Sequence, residues 1–216
     1  MIPKIIHQTY KDKNLPNLFK ENQSIIKKLH PDFEYKFYTD NDMYEFIKLE
    51  FPKYYNKFMN LPRKIMQIDM FRYFLMYKYG GIYADLDYKF FKKFNLLNHK
   101  IIIPSSRNDP LVLGNCIFAS EPNHDFWKKL MDTLFSFNRN IKFKSKKDVI
   151  LSTGPQFVTK MWKNYTNKED IYIPSKKLFH PKLIKNNIKL YIFFLIKQNI
   201  SYGIHLCSGL WIKNNY

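Results

Sequence analysis

The chain has 216 residues, 45% of them hydrophobic and 18% aromatic, enough to bury one sizeable core, so a single domain over residues 1–216 is expected. A formal net charge of +18 favours an anionic partner such as a nucleotide diphosphate, a phospholipid-linked acceptor, a membrane surface or nucleic acid, without choosing among them. Two cysteines, Cys116 and Cys207, exclude a disulfide framework, and no apolar run approaches the roughly 20 residues needed to span a bilayer.

Taken in order, Lys4 to Gln8 reads as a first strand, Leu18 to Leu29 as a helix, Tyr35 to Tyr38 as a second strand, and Asn41 to Leu49 as a helix with Asp40 or Asn41 as its N-cap. The run Ile2 to Ile6 after Met1 is too short and too soon polar for a signal peptide, so a cytoplasmic location is expected, with peripheral membrane contact left open. The alternation of strand and helix predicts an α/β fold with a doubly wound sheet.

The centre of the chain is Ile65 to Tyr88, IMQIDMFRYFLMYKYGGIYADLDY. Ile68, Phe71, Leu75 and Met76, closed by Tyr79, have the spacing of one buried helical face. Gly80-Gly81 supplies a left-handed stop, and Ile82, Tyr83 and Ala84 restart the chain as a strand with Asp85 and Asp87 at its C-terminal end, where open α/β sheets place ligands. Period two puts both carboxylates on one side, and two such charges call for a divalent cation with oxygen ligands. Asp69 and Arg72 form a charged pair on an otherwise apolar helix. Arg72 is one of four arginines among 36 basic residues, and its planar fork suits phosphate or sugar hydroxyls.

Asp69-x-x-Arg72-Tyr73 followed by Tyr79-Gly80-Gly81-Ile82-Tyr83-x-Asp85-x-Asp87 resembles the signature of the glycosyltransferase sugar-binding region containing DXD motif, glycosyltransferase family 32. The resemblance implies a GT-A type, Rossmann-like mixed sheet flanked by helices and a retaining transfer of sugar from a nucleoside diphosphate donor to a glycan or lipid-linked acceptor. It also implies Mn²⁺ or Mg²⁺ as cofactor. Family members open with Ile-Pro-Lys-x-Ile-His-Gln followed by one residue and then an aromatic that flanks the base. Here Tyr10 stands at that position beside Thr9, where the family usually has Trp, and His7 is expected to be a satisfied strand-end histidine.

Further along, Ile101 to Pro104 and Asn115 to Ser120 read as short strands, and His124 starts a helix to about Phe137. By the resemblance Asn115 touches donor sugar or acceptor. Thr153-Gly154-Pro155 either forms a turn beside the sugar, with Gly154 at the donor, or is a plain loop before a helix. Lys142 to Lys147 reads as a solvated loop. Leu190 to Ile196, bracketed by Lys189 and Lys197, is either a buried element or an interfacial anchor. The close Gly203-Ile204-His205-Leu206-Cys207-Ser208-Gly209-Leu210-Trp211 is similar to the family's core ending, which makes His205 a third metal ligand beside Asp85 and Asp87, and places Ser208 and Trp211 at the diphosphate or sugar. Tyr83 is expected against the diphosphate or ribose.

Two rivals follow from other classes. Lysines interleaved with Tyr and Phe suit a nucleic-acid binder, although the acidic pair repels phosphate unless a metal is present. A sugar-binding module without turnover keeps the fold and loses the chemistry. Residues 141–216 alone carry fourteen Lys and three acids.

Overall fold

The computed structural model describes residues 1–136, 143–181 and 188–207. Strand β1 (Ile5–Thr9) is followed by helix α1 (Asn17–Leu29), β2 (Glu34–Tyr38), α2 (Asp40–Glu50), α3 (Pro52–Met59) and α4 (Lys64–Lys78). Then come β3 (Gly81–Ala84), β4 (Tyr88–Phe90), β5 (Ile101–Ile102), β6 (Ser105–Asn108), β7 (Leu111–Leu113) and β8 (Ile117–Ser120). The chain continues through α5 (Asp125–Leu134), α6 (Lys146–Ser152), α7 (Pro155–Lys163), β9 (Ile171–Tyr172), α8 (Lys176–Phe179), α9 (Ile188–Lys197) and β10 (Gly203–His205).

Six strands form one mixed sheet in the order β2-β1-β3-β8-β5-β9. β1 runs parallel to β2 and β3, whereas β8 runs antiparallel to β3 and β5. Period two divides the sheet's side chains between two cores. Tyr83, Ile101 and Phe118 pack with α2 to α5 on one face, and Ile82, Ile102 and Ala119 pack with Ile26 of α1, Phe90 of β4 and Phe179 of α8 on the other. This is a mixed α/β sheet with helices on both faces, the architecture the motif implies.

α4 is the buried spine. Its sequence is apolar nearly all round, and every residue from Ile65 to Met76 except Ile68 is buried. The one-face spacing therefore described too narrow a stripe, and Ile68, assigned to the buried face, is half-buried on a cavity wall. The helix stops at Gly80 and Gly81, whose φ angles are +63° and +82°. A Cβ on Gly80 would lie 2.5 Å from the Ser120 carbonyl oxygen, and one on Gly81 would lie 2.6 Å from that of Ile5, so conformation and space both require glycine. His7 fastens this break to β1: its Nε2 lies 3.0 Å from the Gly80 carbonyl oxygen and its Nδ1 3.1 Å from the Tyr38 hydroxyl. Burial lowers its pKa to about 3, which keeps the ring neutral and makes it the satisfied strand-end histidine the sequence suggested.

Several boundaries differ from the expectation for local reasons. The N-cap of α2 is Thr39, not Asp40 or Asn41, because Thr39 and Asp42 form a reciprocal capping box. The lysine-rich stretch is not all loop: Ser145 and Asp148 form a second capping box, so Lys146 opens α6, while Lys142 lies outside the described residues. Asn115 and Cys116 precede β8 instead of lying in it, and α5, capped by the His124 side chain, ends at Leu134.

Candidate active site

The site is built where the C-terminal ends of β1 and β3 meet the N-terminal end of antiparallel β8. Ala84 pairs with Ile117, and the Asp85 N–H donates to the Cys116 carbonyl at 2.8 Å, which delivers Asn115 to the tip of β3. Arg72 reaches the same point from α4. Its guanidinium contacts the Asp69 carboxylate at 3.1 Å and that of Asp85 at 3.0 Å, and it donates to the Tyr83 hydroxyl at 3.1 Å and the Asn115 carbonyl at 2.7 Å. With side-chain exposures of only 6% and 3%, the Arg72–Asp69 pair is a buried charge network and not a solvated helix pair. Burial opposes the charge on Arg72, but Asp85, Tyr83 and Asp69 outweigh it and hold the guanidinium firmly protonated.

Asp69 is tied at both oxygens. One accepts from Asn115 Nδ2 at 3.1 Å and the other from Thr153 Oγ1 at 2.9 Å. Burial raises its pKa to about 6 against the opposing pull of Arg72. Asp85 is likewise pushed upward by burial, with Arg72 opposing and Asp87 adding repulsion, and Tyr83 donates to its Oδ1 at 2.7 Å.

Asp85, Leu86 and Asp87 form a tight turn and do not extend the strand, as the Tyr88 N–H donates back to the Asp85 carbonyl at 2.9 Å. Strand alternation is thus not what brings the two carboxylates together. The turn does so, assisted by the two-stranded ladder of β4 and β10, in which His205 pairs with Tyr88 and the Leu206 N–H donates to the Asp87 carbonyl at 2.9 Å. His205 Nε2 lies 3.0 Å from Asp87 Oδ1, and one ligand atom from each of Asp85, Asp87 and His205 falls within 4.8 Å of the others. Burial disfavours charge on His205, yet the Cys116 sulfur and the Asp87 carboxylate raise its pKa well above the ordinary imidazole value. Two carboxylates and an imidazole at this spacing fit a Mn²⁺- or Mg²⁺-sized ion with open positions for water or phosphate, and a bound ion would displace the proton now shared between His205 and Asp87.

These groups face one cavity of about 370 Å³. Of the residues expected at the site, Thr9, Tyr10, Asp69, Arg72, Asp85, Asp87, Asn115, Gly154 and His205 line it. Tyr83 does not. It is 1% exposed and sits behind the carboxylates, where it bonds Asp85, Arg72 and, at 3.3 Å, Thr9, so its place is to hold Asp85 and not to lie against diphosphate or ribose. Tyr10 lines the mouth with its ring edge-on to Phe19 at 5.6 Å, and Ser208 and Trp211 lie outside the described residues. Gly154 lies in the turn between α6 and α7, with Pro155 at the first position of α7.

Sequence reasoning missed Asn22, whose buried Nδ2 donates 2.9 Å to the Leu86 carbonyl and so fixes the turn between the paired aspartates. It also missed the bond from Thr153 to Asp69. Only the Thr-Gly-Pro turn hinted at the second, and nothing in α1 marks the first.

The chain matches the glycosyltransferase sugar-binding region containing DXD motif over residues 16–106, which include Asp69, Arg72, Asp85 and Asp87. It is 34% identical over 206 residues to mannosyl phosphorylinositol ceramide synthase SUR1 of Saccharomyces cerevisiae, covering 94% of this chain and 52% of that protein. It is 32% identical over 221 residues to inositol phosphoceramide mannosyltransferase 1 of Schizosaccharomyces pombe, covering 99% of this chain and 66% of the other. The chain spans about half the length of most of the curated relatives it matches. Among solved structures, the PaToxG glycosyltransferase superposes with a TM-score of 0.59 at 18% identity over 92% of this chain and 78% of that one. The ligand-free glycosyltransferase domain of the YGT toxin superposes with a TM-score of 0.62 at 9% identity over 80% of each chain, and both likenesses concern the fold alone. Asp85-Leu86-Asp87 lies inside the matched span, so the chain carries the sugar-binding region with its DXD motif that defines this group of glycosyltransferases.

Proposed function

We propose that the protein is a metal-dependent glycosyltransferase that moves a hexose, mannose by analogy with its named relatives, from a nucleoside diphosphate donor to a hydroxyl of a glycan or lipid-linked acceptor. The observation that carries this reading is the convergence in one cavity of the Asp85–Asp87–His205 cluster with the buried Asp69–Arg72 pair. A divalent ion held by the cluster would supply Lewis-acid stabilisation to the diphosphate leaving group. Tyr83 and Arg72 keep Asp85 ionised and aimed, Asn22 fixes the turn, and Asp69 with Arg72 orients the sugar through its hydroxyls.

Retention by same-face attack is the preferred course. The bond between the anomeric carbon and the phosphate oxygen breaks, the acceptor oxygen bonds to that carbon from the same side, and the acceptor proton passes to the departing phosphate. Among the described residues four carboxylates line the cavity. Asp85 and Asp87 belong to the cluster, Asp69 is held by Arg72, Asn115 and Thr153, and Asp40 faces Lys64 at 3.2 Å. That leaves, among the described residues, no carboxylate in the position of a second catalytic group of the kind glycosidases use.

A thermal-shift screen of nucleotide sugars with and without Mn²⁺ tests the donor assignment. A ligand at 100 times its Kd stabilises by about 2.7 kcal/mol, which raises the melting temperature of a chain this size by roughly 5–10 °C. A shift of that order only in the presence of Mn²⁺ is expected. No shift with any nucleotide sugar overturns the assignment, and binding without hydrolysis or transfer makes the protein a sugar-binding module.

Asp69 gives the reaction an acid limit. Its ionised form holds Arg72, and burial raises its pKa to about 6, so protonation competes as the pH falls through 6. At saturating Mn²⁺, transfer should decline by about tenfold per pH unit below that point, while affinity for the free nucleoside diphosphate holds. The stability sign is the reverse of the usual exposed Asp: the folded state binds this proton more readily than the unfolded chain, so ionising Asp69 costs stability as the pH rises through the same window. A transfer rate unchanged between about pH 5 and 7 would remove Asp69 from the reaction.

A further inference from the structure

We infer that α9 is a docking helix for an anionic bilayer surface, lying in the headgroup layer with Phe193, Phe194 and Ile196 inserted. Among the described residues ten large hydrophobic side chains are exposed, and four of them, Phe193, Phe194, Ile196 and Ile200, fall within eight positions, whereas the other six are scattered singly. Phe193 is 61% exposed, while Leu195 alone among these neighbours turns inward at 5%. Among the described side chains of the run, Phe193, Phe194 and Ile196 face outward, so it is not buried throughout, which favours the interfacial reading of the sequence. A cluster of this kind on an otherwise charged surface marks an interaction site.

Charge and length select the partner. Lys189 and Lys197 bracket the apolar run, and residues 171–216 contain seven lysines and no acidic residue. Lys92 adds its charge at the C-terminal turn, where its Nζ donates to the Asn199 carbonyl at 2.8 Å and lies 4.6 Å from the Tyr202 ring centroid. Apolar side chains presented between cations suit an interface where acyl chains lie beneath anionic headgroups. Ten helical residues extend about 15 Å, half the thickness of a bilayer core, so α9 lies on the membrane and does not cross it. No helix among the described residues is long and apolar enough to cross.

The position of the helix gives the contact a purpose, and only this step rests on the proposed transfer reaction. Ile200 and His205 are five residues apart, at most about 17 Å of chain, so a helix seated on headgroups holds the metal cluster within reach of a headgroup hydroxyl.

The test is flotation of the full chain with vesicles of phosphatidylcholine alone and of phosphatidylcholine with phosphatidylserine, at low and high salt. Wild type is expected to partition onto the anionic vesicles at least about tenfold more strongly than onto the neutral ones, and less so at high salt. The triple variant Phe193→Ser, Phe194→Ser, Ile196→Ser is expected to lose at least about tenfold of that partition, while donor hydrolysis in solution stays at the wild-type rate. Phe193→Glu, at the most exposed position, should show the same loss if the triple variant does not fold. Absence of wild-type binding to anionic vesicles, or variants that bind as wild type does, overturns the inference. So does an apolar face that instead drives self-association, seen as a dimer that the triple variant dissociates and that ignores vesicles. Vesicle binding without donor hydrolysis leaves the docking helix standing and removes the transfer reaction.

Discussion

Asp87→Asn is expected to leave the protein folded and to weaken Mn²⁺-dependent donor binding by roughly 10²-fold or more, the scale of losing one preorganised electrostatic contact. The Asp87 side chain, 12% exposed, sits on the cavity wall in the turn set by Asn22 and the β4–β10 ladder, and none of those backbone bonds needs its charge. Asparagine keeps the shape and an oxygen for His205 and relieves the repulsion with Asp85, but it gives up the charge that His205 pairs with, so the two effects oppose and the melting temperature without metal should change little. Calorimetric titration of Mn²⁺ with a nucleoside diphosphate checks this directly, and unchanged Mn²⁺ dependence would dismiss the metal assignment. His205→Ala should act in the same direction by about tenfold. Unfolding of that variant would show that His205 serves the ladder instead of the metal.

Much of this site was legible in the sequence because its signals are local and dense. Gly80-Gly81, Asp85-x-Asp87 and the Asp69, Arg72 pair lie within nineteen residues, and the helix stop, the strand restart and the ligand end of the strand are each set by near neighbours. Two of the contacts that complete the site come from far away with little or no such mark. Thr153 reaches Asp69 across 84 positions and Asn22 reaches Leu86 across 64, and side-chain periodicity says nothing about either contact. Ile68 shows the opposite failure: helical spacing counted it as core, but α4 is buried around nearly its whole circumference, and the cavity opens on the side where Ile68 sits. Tyr83 is expected against the diphosphate or ribose, whereas strand alternation turns its ring into the core and leaves only its hydroxyl to act, through Asp85 and Arg72.

The consequence of that hub is that Arg72→Lys is expected to lower turnover by roughly 10²- to 10³-fold while keeping the formal charge. Three guanidinium nitrogens serve four groups at once: Nε donates to Tyr83, Nη1 meets Asp69 and the Asn115 carbonyl, and Nη2 meets Asp85. A single ammonium nitrogen cannot span Asp69 and Asp85 together, so one buried carboxylate loses its partner. Breaking a buried pair in this way costs about 3–5 kcal/mol, which lowers the melting temperature of a chain this size by roughly 6–20 °C. If the loss falls on Asp85, its repulsion with Asp87 goes unbalanced, and a divalent cation supplies the missing positive charge. Mn²⁺ should therefore raise the melting temperature of Arg72→Lys by more than it raises that of wild type. Turnover measured below the variant's melting point separates the catalytic loss from the loss of fold. Near-normal turnover there, with equal Mn²⁺ stabilisation of both proteins, would reduce Arg72 to a structural ion pair and remove it from the donor site.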